Sequence, residues 1–97
     1  MATYILLANW TQQGIENIKE SPKRLAAAKE AWQEMGATVK AFYLTMGQYD
    51  FVLLVEAPDD ETVAKVILAQ AAKGSIRTVT LRAFTEPEYR QIIAALP

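Results

Sequence analysis

Residues 50–56, Asp50-Phe51-Val52-Leu53-Leu54-Val55-Glu56, put apolar side chains on both alternating faces of one extended segment. A strand with a single buried face alternates apolar and polar residues, whereas one buried on both sides does not. Thr3 to Trp10 has the same character: Tyr4, Leu6, Ala8 and Trp10 share one face, and Ile5 and Leu7 lie on the other. Two strands of this kind belong at the centre of a sheet with both of its faces covered.

Working outward, Gly47-Gln48-Tyr49 forms a tight connection back to a strand over Thr38 to Met46, so the second and third strands make a hairpin. Upstream, Ser21-Pro22 starts a helix, the hydroxyl capping free N–H groups and proline occupying the first turn. Leu25, Ala28, Trp32 and Met35 recur at helical spacing as its core side, and Gly36 is its left-handed cap. Ile15 to Glu20 is expected to form a short helical turn. Downstream, Pro58-Asp59-Asp60-Glu61 opens a second long helix with acids at its positive end, running through Val63, Val66, Ile67 and Ala71 to Lys73-Gly74. Ser75 to Phe84 alternates as a fourth strand. Thr85-Glu86-Pro87-Glu88 is a capping box leading into an amphipathic helix with Tyr89, Ile92, Ile93 and Leu96.

The order is βαββαβ with an extra C-terminal helix, a ferredoxin-like α+β fold comprising one domain over residues 1–97. In that topology the four-stranded antiparallel sheet has the order 4-1-3-2, and both long helices lie on one face. The chain's own helices then leave an oily face bare, a larger patch than a monomer ordinarily shows. A homodimer packed sheet against sheet is the expected cover, the alternative being the terminal helix folding back over that face.

Composition limits the chemistry. There is no cysteine and no histidine, which removes thiolate catalysis, disulfides, the usual zinc ligands and the commonest general base. No cofactor or metal is expected, and Asp59-Asp60-Glu61 is a helix start rather than a metal site. Ten basic and eleven acidic residues give a net charge of -1, which offers no field for nucleic acid or an anionic membrane. Tyr49-Asp50-Phe51-Val52 matches the aromatic third-strand motif of RNA-recognition domains poorly, because Asp50 stands where a small residue is needed. No segment has the apolar length of a membrane span, and the amino terminus has no basic leader, so a cytoplasmic protein is expected.

The spacing of Gly47, Tyr49 and Asp50, as Gly-x-Tyr-Asp, resembles the GYD domain family of small bacterial and archaeal proteins. Tyr4, Trp10-Thr11 with Gly14, Glu56-Ala57-Pro58-Asp59-Asp60-Glu61, Arg77-Thr78 and Leu81-Arg82-Ala83-Phe84-Thr85 extend the likeness along nearly the whole chain. The resemblance implies a dimeric α+β barrel and no particular activity. Related barrels include cofactor-free monooxygenases, haem proteins and amino-acid-sensing domains of regulators, so the fold does not choose among functions.

The candidate ligand-binding residues are Trp10, Tyr43, Tyr49, Asp50, Arg77 and Arg82. Each also has a structural use. Tyr49 can bury its ring and give its hydroxyl to one partner, Asp50 can satisfy backbone N–H groups at a turn, and Trp10 can anchor a core or an interface. Lys40, Tyr43 and Thr45 are polar residues that an edge strand needs in any case. Arg82 and Asp50 are expected at one end of the sheet, Arg77 and Glu56 at the other. The favoured function is a homodimeric binding or regulatory protein with a pocket for a small apolar or carboxylate ligand between facing sheets. The alternatives are a cofactor-independent enzyme, with Asp50, Glu56 or Tyr43 moving protons, and an assembly module without a ligand.

Overall fold

The computed structural model describes residues 1–97. Strand β1 (Ala2–Trp10) leads into a short helix α1 (Gln12–Glu16), a 3-10 turn (Ile18–Glu20) and the long helix α2 (Ser21–Met35). Then come β2 (Thr38–Leu44), β3 (Phe51–Ala57), α3 (Asp60–Ala71), β4 (Ile76–Ala83) and α4 (Glu86–Ala94). The strands form one sheet in the order β2-β3-β1-β4, with every neighbouring pair antiparallel, and the doubly apolar strands β1 and β3 are its centre.

Parity assigns the two faces. Tyr4, Leu6 and Ala8 of β1 stand opposite Val55, Leu53 and Phe51 of β3. All six are buried, with Ala28 and Trp32 of α2 and Val63 and Val66 of α3 closing over them. Two rows of side chains face away from the helices. Ala41, Leu54, Ile5 and Leu81 make one, and Tyr43, Val52, Leu7 and Val79 the other, each crossing all four strands in register.

Local signals explain most boundaries. Asp59 caps α3 by accepting the Thr62 N–H at 2.9 Å and its hydroxyl at 2.8 Å, and these bonds hold its carboxyl below the usual carboxylate range. The capping box of α4 forms, with Glu88 accepting the Thr85 N–H and Thr85 accepting the Glu88 N–H. Those bonds likewise lower the Glu88 carboxyl. Gly47 has φ 133, a conformation that other residues avoid, and it turns the hairpin.

Several expectations need correction. The 3-10 turn delivers the chain to α2 already coiled, so Glu20 is the cap position and the Ser21 hydroxyl makes no capping bond. Met35 lies beside Gly36, where the chain turns off toward β2, and is exposed instead of joining the core. Strand β2 stops at Leu44 rather than Met46, because the Thr45 N–H bonds the Asp50 carbonyl and its hydroxyl the Tyr49 carbonyl, closing a loop. Because β3 and β4 both pair antiparallel to β1, they run parallel to each other. Asp50 therefore shares an end of the sheet with Arg77, and Glu56 with Arg82, the reverse of the expectation.

Helix α4 does not fold back into the core. None of its residues is buried, and Tyr89, Ile92, Ile93 and Leu96 remain exposed.

Candidate functional site

The face turned away from the helices is left uncovered. Its outer members stay open to solvent, Tyr43 at 65%, Val79 at 46% and Leu81 at 44%, while Ile5, Leu7, Val52 and Leu54 shelter one another at the centre. Polar groups bound both ends. At one, Lys40 sits at a bulge in β2 and approaches Glu56 to 3.9 Å. At the other, Asn9 stands opposite Arg77, and a shallow groove gathers Asn9, Gln12, Tyr49 and Arg77 beside Leu7 and Val79.

Asp50 is at that end too, but its carboxylate is engaged. Its Oδ2 accepts the Trp10 N–H at 3.0 Å, while its own N–H donates to the Ala8 carbonyl at 2.9 Å and to Asn9 Oδ1 at 3.1 Å. The side chain fastens the end of β1 to the start of β3. Tyr49 is only half-buried.

Arg82 lies on the helix-side face at the opposite end. Its guanidinium stands 4.6 Å from the Phe84 ring centre and 5.5 Å from that of Tyr4. Tyr4 donates its hydroxyl to Asp60. Burial pushes the Tyr4 hydroxyl up to about 12, the bond to Asp60 adds to this, and Arg82 partly offsets it. Trp10 also faces the helices, its ring centre 5.0 Å from that of Phe51. Of the six candidates, the structure brings Tyr49, Asp50 and Arg77 to one end. Tyr43 stays on the open face, Trp10 goes to the helix side, and Arg82 goes to the far end.

A second concavity escaped the sequence reading. Between α2 and the sheet lies a cavity of about 40 Å³ walled by Trp10, Trp32, Phe42 and Phe51. It shares Arg24, Gln70 and Ser75 with a polar groove outside. The available signal was Gln70, a polar residue at the next core position of the Val63, Val66 series, and it is 7% exposed.

No group of histidine, cysteine or acidic residues is arranged to hold a metal ion, and no helix is long and apolar enough to cross a membrane.

Four antiparallel strands with helices on one side and an uncovered apolar side define a ferredoxin-like α+β protein. More narrowly, the GYD domain matches residues 4–93, and the chain belongs to that family. It is 40% identical over 84 residues to a Thermus thermophilus protein named glutamine synthetase and cystathionine beta-lyase binding protein, covering 86% of this chain and 88% of that one. Among solved structures, TTHA0845 from Thermus thermophilus has a TM-score of 0.56 at 29% identity, over 88% of this chain and 95% of the other. FFRP-DM1 superposes with a TM-score of 0.58 at 24% identity, over 87% of this chain and all (100%) of its own. The Pyrococcus horikoshii protein PHS023 gives 0.56 at 24%, over 89% and 93%. The likeness to the last two is one of fold.

Proposed function

We propose that this chain is a binding protein that pairs with a second copy through its open sheet face and, as that dimer, docks on enzymes of amino-acid metabolism. The observation that carries the reading is the pair of apolar rows spanning all four strands with no helix over them. Sheets pack face to face about 10 Å apart, and two copies related by a two-fold axis present self-complementary rows of Ile, Leu and Val. The dimeric α+β barrel that results shelters surface that would otherwise face water.

The relative named as binding glutamine synthetase and cystathionine beta-lyase supports enzymes as partners. The engagement of Asp50 by the Trp10 N–H supports a binding role over proton-transfer catalysis, since that carboxylate already has a structural task. A small ligand between the sheets has less support, because Ile5, Leu7, Val52 and Leu54 are bulky enough to meet their counterparts across a 10 Å layer of this kind.

Two measurements test the reading. Light scattering at micromolar concentration is expected to give twice the chain mass. Biolayer interferometry with purified glutamine synthetase and cystathionine beta-lyase from the same organism is expected to give saturable binding to at least one. A monomer at every dilution overturns the pairing, and silence toward both enzymes overturns the partner assignment.

A further inference from the structure

We infer that the cavity between α2 and the sheet is a binding site for a small monocarboxylate, with a short aliphatic tail inside and the carboxylate held by Arg24 at the mouth. This goes beyond the pairing and docking roles and uses the other side of the sheet.

Three observations converge. The inner space is apolar and aromatic, between Trp10, Trp32, Phe42 and Phe51. Its size of about 40 Å³ is roughly three times the ~10–15 Å³ that admits one water, so two or three carbons fit and a ring does not. Three of its five polar lining residues lie where this space meets the outer groove: Arg24, Gln70 and Ser75 line both concavities, the last two 7% and 5% exposed, while Ser21 and Lys29 line the cavity alone. An apolar recess with a few convergent polar groups is the usual form of a small-molecule site.

Charge selects the head group. Arg24 donates from Nη1 to the Asn17 carbonyl at 2.8 Å and from Nη2 to the Gly14 carbonyl at 3.4 Å. Those carbonyls fix its position without neutralising it, and it takes part in none of the chain's ion pairs. A guanidinium has five N–H donors, so it keeps donors for an incoming anion. Lys29 lines the cavity, and Lys73 and Glu20 line the groove. Glu20 already lies 3.8 Å from Lys23, which leaves the mouth electropositive. A planar carboxylate matches the guanidinium fork, and an uncharged head group gains far less from it.

The test needs no added label, because both tryptophans of the chain, Trp10 and Trp32, line the cavity. The purified protein is titrated with sodium butanoate, and with butanamide as the uncharged counterpart of equal size, while intrinsic fluorescence is followed. Butanoate is expected to saturate with a Kd of the order of 1 mM, and butanamide to bind at least about tenfold more weakly. Arg24→Gln is expected to bring butanoate down to the level of butanamide, whereas Lys65→Gln, on the exposed side of α3 and outside both concavities, keeps the preference. Ala28→Leu, which fills the cavity wall, is expected to abolish both responses, with a circular dichroism melt showing that the variant is folded. If Ala28→Leu does not fold, Arg24→Gln decides alone. Equal responses to the two probes, absence of saturation by ~20 mM, a preference that survives Arg24→Gln, or one lost equally in Lys65→Gln each overturns the assignment. None of these outcomes depends on the oligomeric state.

Discussion

The Asp50 carboxylate accepts the main-chain N–H of Trp10 at 3.0 Å, across the end of the β1–β3 ladder. The same residue donates its own N–H to Ala8 and Asn9, so three bonds converge where β1 leaves the sheet and the hairpin enters it. Asp50→Ala removes the side-chain acceptor of the Trp10 N–H and is expected to destabilise the fold by about 2 kcal/mol. Asp50→Asn keeps an acceptor oxygen and is expected to lose less. Urea denaturation of the three proteins measures this, and a loss of partner binding in Asp50→Ala with unchanged stability would point instead to a direct functional role.

Tyr4 and Asp60 make stability pH-dependent on the alkaline side. The folded state holds the Tyr4 hydroxyl protonated up to about 12, against 10.0 for an exposed tyrosine. The stabilisation is therefore complete below pH 10 and is lost as pH rises through about 12. Urea midpoints measured from pH 8 to pH 12 are expected to fall more steeply for the wild-type chain than for Tyr4→Phe. Parallel curves would contradict this.

Gly14 is buried in α1, and a Cβ added there would lie 2.2 Å from the Ser75 carbonyl oxygen, a main-chain atom that also accepts the Thr11 N–H at 3.0 Å. Something must shift to accommodate it. Gly14→Ala is expected to cost about 1–3 kcal/mol, the usual range for overpacking, and to lower the melting temperature by at least several degrees. A melt within one degree of wild type, roughly, would show that the α1 contact yields freely.

Leu54 lies at the centre of the first apolar row, between Ala41 and Ile5. Leu54→Lys places a charge in the middle of the proposed pairing surface while leaving the helix-side core untouched. The variant is expected to scatter light as a monomer and to keep its circular dichroism spectrum. A dimer of undiminished stability would move the pairing surface elsewhere.

Which parts of this were legible follows from the range of each interaction. The capping box at Thr85 and Glu88 and the acids opening α3 involve neighbours within four residues, so their residue types announce them. The central placement of β1 and β3 was equally plain, since only interior strands tolerate apolar side chains at every position. Asp50 shows the opposite case. Its type and turn position announced a backbone acceptor's role, but its partner is forty residues away in sequence and exists only once β1 and β3 pair. Gln70 differs again: a polar residue in a core series signals a cavity or a buried partner, and only the placement of Trp32 and Ser75 distinguishes them.

The sequence by itself determined the order of elements, the antiparallel hairpin and the existence of more apolar sheet than two helices can cover, because alternation and capping are properties of adjacent residues. Tertiary structure alone decided which face each alternating set takes. A period of two separates side chains into two groups without saying which group meets the helices. The antiparallel order 4-1-3-2 itself makes β3 and β4 run parallel through their shared neighbour, so the expected placement of Arg82 with Asp50 conflicts with that order, and the register puts Asp50 at the end of Arg77 and Arg82 at the other.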